Sequence, residues 1–292
     1  MSTEDLSLTD TIQEIAEQQR VYWNSPEGDK WVNNQAVLDR MFVPMTEILL
    51  EKSNVKAGEK ILDIGCGAGT TTGLLAHKVG ARGEVLGVDI STALLVAARA
   101  QIKENHVQFI EGDAGTVQLP MRDADLIFSR FGVMFFADPA QTFSHLRKYL
   151  KPSGRLCFVC WGARQDNPWF GAPYDVITSR LGELEPPPPR APGPMAFART
   201  DYIQEILKAA KFDNIIIETQ DVDLISREGP EHTAEFMMSF GPGARVLSKF
   251  DVDNETKQLL SNDLAERLKT FMVEDGLRVP ARLHFVRATN PR

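Results

Sequence analysis

The passage Ile61-Leu62-Asp63-Ile64-Gly65-Cys66-Gly67-Ala68-Gly69-Thr70 constrains this chain most: an apolar strand runs straight into a glycine-rich turn and then into a helix. Glycines there let the backbone turn sharply and let a ligand approach the main chain closely. The next strand ends in Asp89, whose carboxylate can accept hydrogen bonds from both hydroxyls of a ribose. A glycine loop followed by a strand-end acid points to an adenosine ligand. The spacing is G-x-G-x-G, with Thr70 where a dinucleotide fingerprint has its last glycine. Asp63, at the entrance of the loop, would repel a phosphate and could orient an ammonium group. These charges favour S-adenosylmethionine (SAM), which carries a sulfonium and an amino-acid tail but no phosphate, over NAD.

Around this passage short β-rich runs alternate with helix-patterned stretches, the signature of a parallel sheet with crossover helices. Candidate strands are Lys60–Ile64, Glu84–Asp89, Val107–Glu111, 123–129, 155–161, 214–218 and 282–287. Between them, Ser91 reads as an N-cap with Leu94, Leu95, Ala98 and Ile102 on one face. Asp138-Pro139 likewise starts a helix with Phe143, Leu146 and Leu150 inward, ended by Pro152 and Gly154. Thr200 or Asp201 caps another, with Ile203, Ile206, Leu207 and Ala210 inward. Near the N-terminus Ile12, Ile15 and Ala16 suit one helix and Val37, Leu38 and Met41 a second, kinked or divided by Pro44.

The resulting expectation is an α/β fold, a Rossmann-like, seven-stranded, mostly parallel sheet with helices on both faces and a helical lid. Its parts are an N-terminal helical lid (1–54), a SAM-binding core (55–162), a Pro-rich connector (163–199) holding the proline-dense run 186–189, a core continuation (200–230), a helical lid insertion (231–276) and a last core strand with the C-terminus (277–292).

Composition narrows the partners. With 43% hydrophobic residues in 292, the chain can bury a large core. A net charge of -8 argues against a nucleic-acid partner, since that affinity comes largely from Lys and Arg displacing counterions. No signal-peptide pattern or membrane-spanning run is visible, so the expected location is cytoplasmic. The three cysteines, Cys66, Cys157 and Cys160, are too few for a four-thiolate zinc site. Cys157 and Cys160 form a C-x-x-C string, but on a strand positions three apart face opposite ways, so no metal or redox site is expected.

Leu62-Asp63-Ile64-Gly65-Cys66-Gly67-Ala68-Gly69 resembles the first motif of class I SAM-dependent methyltransferases, and later motifs agree in order. Gly87-Val88-Asp89-Ile90-Ser91 is similar to the family's ribose-binding strand end, which implies that Ile90 packs on adenine. Glu111-Gly112-Asp113-Ala114 resembles the adenine-edge motif: the acid accepts from the exocyclic amine and the amide of Ala114 meets a ring nitrogen. Asp125-Leu126-Ile127-Phe128-Ser129-Arg130 matches the fourth strand, whose end lies beside the sulfonium, and Leu150-Lys151-Pro152-Ser153-Gly154-Arg155-Leu156 the helix-turn-strand entry that follows. Close resemblance covers about residues 55–162. Ser129-Arg130-Phe131-Gly132 and Asn167-Pro168-Trp169 suggest the small-molecule branch that includes quinone-biosynthesis enzymes. A short segment between Pro120 and Asp125 departs from the family pattern.

The resemblance implies transfer of the SAM methyl group to a small-molecule acceptor by in-line displacement. Cofactor contacts are expected from Asp63, Gly65, Cys66, Gly67, Gly69, Asp89, Ile90, Asp113, Ala114, Ser129 (through its backbone rather than its hydroxyl) and Arg130, which either faces the ligands or forms an ordinary ion pair. On the acceptor side stand the lid aromatics Tyr22, Trp23 and Trp31, with Phe131, His232, Phe236 and Met237. Aromatic faces attract cations, and packing between lid helices explains the same residues. His232 is the lid histidine; His77, His145 and His284 sit on core elements, and no general base is identified. Two other functions fit less well. A non-catalytic SAM-binding regulator would keep the loop and Asp89 but have a filled acceptor pocket. An NAD-dependent oxidoreductase would want the glycine missing at Thr70 and a Tyr-x-x-x-Lys relay, which is not found.

Overall fold

A computed structural model describes residues 3–185 and 188–291. Pro186 and Pro187 of the proline-dense run lie outside the described residues. The chain opens with three helices, α1 (Thr3–Trp23), α2 (Pro26–Asn33) and α3 (Gln35–Ser53). Pro44 stands inside α3 without dividing it, while Met41, Met45 and Leu49 bury the face that packs on the sheet.

The core follows as β1 (Lys60–Ile64), α4 (Thr70–Val79), β2 (Glu84–Asp89), α5 (Thr92–Gln101), β3 (Val107–Glu111), β4 (Ala124–Arg130), α6 (Pro139–Arg147) and β5 (Leu150–Trp161). Both expected caps form: Ser91 accepts from the Leu94 N–H and Asp138 from the Gln141 N–H. The α6 helix ends at Arg147, before Pro152, and β5 begins at Leu150. A register shift in the β4–β5 pairing takes up Lys151-Pro152-Ser153-Gly154, and Asn290 donates to the Leu150 and Lys151 carbonyls there, at 3.1 and 3.0 Å.

The second part comprises α7 (Pro168–Leu181), α8 (Thr200–Ala209), β6 (Asp213–Ser226), α9 (Pro230–Ser239), α10 (Gly241–Leu247), α11 (Asn254–Leu268), β7 (Met272–Val273) and β8 (Gly276–Thr289). The expected connector thus contains a helix, α7. Neither Thr200 nor Asp201 caps α8. Arg199 occupies that position, because the Asp201 carboxylate is held by the Arg199 guanidinium and the Tyr202 N–H.

The sheet runs β3-β2-β1-β4-β5-β8-β6, with β1 to β5 parallel and β8 antiparallel to both neighbours. These are the seven expected strands; β7 is a two-residue addition pairing with β8, so the sheet has 8. β6 and β8 are 14 residues each, far longer than their apolar centres suggest. Their outer halves alternate charged and apolar residues, and cross-strand pairs such as Arg282–Asp221 hold the ribbon together at 2.8 Å. Cys157 Sγ reaches Leu49 O of α3, while Cys160 Sγ reaches Phe197 O before α8, so the two thiols lie on opposite faces.

Because the chain leaves β1 toward β2 and β3 and then returns to β4 on the other side, the switch point lies between β1 and β4. A crevice forms beyond the carboxyl ends of strands at such a point.

Candidate functional site

Two glycines meet at this switch point. Gly65, just after β1, has φ +66°, and a Cβ there would stand 2.6 Å from Gly132 Cα, just beyond β4. A Cβ on Gly132 would in turn meet Ile64 O at 2.6 Å. Gly69, at φ +91°, starts α4 against Ile102 and Ala98 of the next helix. Gly67, also left-handed at φ +56°, differs: a Cβ there would find nothing within 4 Å. Gly65 is therefore required by backbone packing and Gly69 by its left-handed conformation in a close-packed place, while the middle one opens onto free space.

The acids around the loop are dry. Asp89 ends β2 with Oδ2 accepting the Gly67 N–H at 2.8 Å and Oδ1 the Ser91 N–H at 2.9 Å. Each oxygen keeps a lone pair, and burial raises its pKa despite those bonds. Asp63 is fully buried. Its Oδ2 accepts from Thr71 and Thr72 at 2.8 and 2.7 Å, whereas Oδ1 has no partner. Desolvation pushes its carboxyl up to about 6. An orphaned buried carboxylate oxygen beneath an open glycine loop fits the cationic end of SAM, by the chemistry of the donor set. Cys66 turns its thiol inward against Gly87, where burial lifts its pKa well above the thiol range; its N–H donates to Val88 O at 3.2 Å.

Further along the crevice, Ile90 and Asp113 line a cleft of about 470 Å³. Asp113 Oδ1 braces its own turn by accepting the Gly115 N–H at 2.7 Å, and Ala114 is buried behind it. Ser129 is fully buried with its hydroxyl accepting the Gly132 N–H at 3.2 Å. Arg130 pairs with Asp39 at 3.2 Å, donates to Thr46 at 2.9 Å and lies over the Phe42 ring at 5.7 Å. Asp39 Oδ2 also accepts from Thr70, the first residue of α4, and from Gln35, at 2.7 and 2.8 Å. The ion pair thus joins β4, α3 and the end of the glycine loop. Sequence reasoning missed Asp39 and Gln35, polar residues of α3, and Asn24, in the turn between α1 and α2; nothing local marks any of them.

The aromatics expected on the acceptor side fall into two groups. Trp23 packs on Trp31 and Phe135 at 5.5 and 5.0 Å, and Trp31 on Phe240 at 4.8 Å. Phe240 stacks on Phe236 at 5.1 Å, joining α2 to α9. Tyr22 meets Trp23 edge-on at 5.4 Å, with Arg245 5.8 Å from its ring centre. Phe131 belongs to the second group: at φ +65° it is strained at the end of β4, and its ring stacks on Trp161 at 4.5 Å. Met237 is buried in the core of the helical cluster. His232 does not join either group. Its ring is 61% exposed and faces Glu228 at 3.6 Å, because the apolar stripe of α9 turns Thr233, Ala234, Met237 and Met238 inward instead. Among the described residues no group of three or more His, Cys, Asp or Glu side chains could hold a metal ion.

Residues 62–158 match a family model described as a methyltransferase domain. Over 121 residues the chain is 33% identical to aklanonic acid methyltransferase DauC of Streptomyces sp. (strain C5), covering 40% of this chain and 55% of that protein. Over 133 residues it is 30% identical to the ubiquinone/menaquinone biosynthesis C-methyltransferase UbiE of Hahella chejuensis, covering 44% and 53%. The chain spans about half the length of the curated relatives it matches. Haemonchus contortus phosphoethanolamine N-methyltransferase 2, solved with S-adenosyl-L-methionine, shares the fold at a TM-score of 0.52 and 19% identity, over 85% of this chain and 52% of that one. The matched segment runs from β1 to β5, the part of the sheet that carries the glycine loop. The match to the family model is confined to residues 62–158, and the likeness to the solved structure is one of fold.

Proposed function

We propose that this protein transfers the methyl group of S-adenosyl-L-methionine to a small-molecule acceptor by in-line displacement. The observation that carries this reading is Asp63 Oδ1, a fully buried, unpartnered carboxylate oxygen under a glycine loop whose middle residue faces open space. Bound SAM supplies a methyl group already activated by its sulfonium. Asp63 then orients the ammonium end, Asp89 receives the ribose hydroxyls, and Ile90, Asp113 and Ala114 hold the adenine. Gly65, Gly67, Gly69 and the Cys66 backbone shape the loop around them. Ser129 and Arg130 act from behind, bracing the end of β4 rather than touching the reacting atoms.

With the methyl group activated, alignment of the acceptor and exclusion of water are what remain for the protein to provide; such orientation is worth about 7–11 kcal/mol over a bimolecular reference. The helices of 1–54 and 231–276 serve as the lid that supplies it, with Trp23, Trp31, Phe131, Phe236 and Met237 shaping an apolar acceptor space. Names of the matched relatives, which include quinone-biosynthesis and aklanonic acid methyltransferases, support a small-molecule acceptor. No described helix is long and apolar enough to cross a membrane. A cytoplasmic setting fits three free, buried cysteines.

Calorimetric titration with S-adenosylhomocysteine, with NAD as the parallel control, tests the reading. Saturable binding of S-adenosylhomocysteine alone is expected, and binding of NAD alone would overturn it. Asp89→Ala is expected to weaken S-adenosylhomocysteine about 10–100-fold through lost charge-assisted hydrogen bonds. Urea unfolding of the same variant should show a retained fold. Unchanged affinity would sink the ribose assignment.

A further inference from the structure

The matched domain begins at residue 62, so the three N-terminal helices lie outside it. As lid elements their expected business is with the acceptor. The end of α1, however, is fastened to the turn that carries Asp89 and Ile90. Asn24 spans that turn with both ends of its amide: Nδ2 donates to Ile90 O at 2.9 Å, and Oδ1 accepts the Thr92 N–H at 2.9 Å. Nδ2 also donates to Arg20 O at 2.9 Å, closing the last turn of α1. Next to it Ser91, the cap of α5, donates its hydroxyl to Trp23 O at 2.9 Å, while the Ser91 N–H donates to Asp89 Oδ1.

The same short turn is thus gripped from inside by the Asp89 carboxylate and from outside by α1. Above it lies the cleft of about 470 Å³, within the range of small-ligand sites. Ala16, Arg20 and Asn24 form one wall, and Ile90, Gly112 and Asp113 the other. An adenosine group held by Asp89 and Ile90 has α1 as its roof.

We infer that Asn24 is a positioning residue for the cofactor: it docks α1 over the nucleoside end of the cleft, making the N-terminal helix part of the cofactor site and not only of the acceptor lid. This rests on the cofactor assignment above. Asn is suited to the task because its short side chain presents a donor and an acceptor together, matching a carbonyl and an N–H two residues apart on one turn. A ligand that touches both walls binds the docked arrangement more tightly than the undocked one, so loosening the latch lowers its apparent affinity in proportion to the docked population lost.

The test uses the full chain, wild type and Asn24→Ala, titrated calorimetrically with S-adenosylhomocysteine, with hydrogen exchange of residues 11–23 followed in the presence and absence of the ligand. Asn24 is exposed, so its truncation leaves no cavity and the urea unfolding midpoint should stay near wild type. Loss of two hydrogen bonds across the turn is expected to weaken binding about ten-fold. In the wild type the ligand should slow exchange in α1, and in Asn24→Ala that protection should shrink. Equal affinity and equal protection in the two proteins would overturn the inference while leaving the cofactor assignment intact. Failure of the wild type to bind S-adenosylhomocysteine would overturn both.

Discussion

Between β1 and α4 the backbone has almost no latitude, whereas between α9 and α11 it is held by side chains. In the first region three glycines take φ values of +66°, +56° and +91°, a Cβ added to one of them would stand 2.6 Å from a neighbouring Cα, and a buried acid sits beneath them. In the second, the joint to the rest of the molecule runs through rings, Trp31 on Phe240 and Phe236 against Trp169 at 6.1 Å, and through surface pairs such as Arg267–Asp175 at 3.5 Å. Ring contacts can be remade with other residues; a backbone contact between two glycines cannot. A conformationally rigid loop suits a ligand that never changes, and an aromatic assembly suits a space whose occupant varies between related enzymes.

The sharpest break of that contrast comes from within the loop. Gly65→Ala must move Gly132 and accept a left-handed conformation, so it is expected to cost about 2–5 kcal/mol of stability. Gly67→Ala bears only the conformational cost, about 1–2 kcal/mol, but places a methyl group in the open space above the loop. Urea unfolding should therefore rank Gly65→Ala as the less stable variant, and S-adenosylhomocysteine titration should show that folded Gly67→Ala binds poorly. Equal stabilities would mean that the Gly65–Gly132 contact is not built as described.

The same contrast explains what could be read from sequence. Residues 60–64, 84–89 and 107–111 were legible to the residue: the first two are buried apolar runs ended by turn chemistry, and the third, at the sheet edge, is a short β-rich run ended by Gly112. That Asp63 and Asp89 flank the glycine loop was legible too, from their places in the first two strands. The extensions of β6 and β8 were not, since an edge ribbon carries charged residues on its open face and loses the apolar signal. Nor was Asn24, whose partners lie 66 and 68 residues away. Its role comes from where two segments meet. His232 was a natural candidate by type, yet the period of α9 turns it outward.

Asp63 offers a middle-sized test through pH. Burial raises its carboxyl from 3.8 to about 6, so in the cofactor-free protein the native state holds a proton that the unfolded chain has released between those values. Its contribution to stability is full below the unfolded pKa and is lost as pH rises through about 6. Ligand binding runs the other way, because an ammonium group favours the ionised acid. From about pH 5 to pH 7 the affinity for S-adenosylhomocysteine should rise about ten-fold as the ionised fraction grows. Asp63→Asn should flatten both slopes, measured by calorimetry and urea unfolding at several pH values. Parallel pH profiles for the two proteins would remove Asp63 from the ligand's ammonium.

The smallest effect belongs to α9. His232 stands in the first turn of α9 with its ring largely in solvent and paired with Glu228 at 3.6 Å. An exposed pair of this kind contributes little, so His232→Ala is expected to change stability by no more than about 0.5 kcal/mol. Affinity for S-adenosylhomocysteine should be unchanged, since nothing connects this side chain to the glycine loop. Turnover of a methyl acceptor should also be preserved: a general base must come within hydrogen-bond reach of the proton it removes, and the His232 ring is turned largely to solvent. A large loss of turnover with intact cofactor binding would mean that α9 rotates inward when the acceptor binds. The rings joining α9 to α2 would then have to separate, and α9 would be a moving part rather than a packed one.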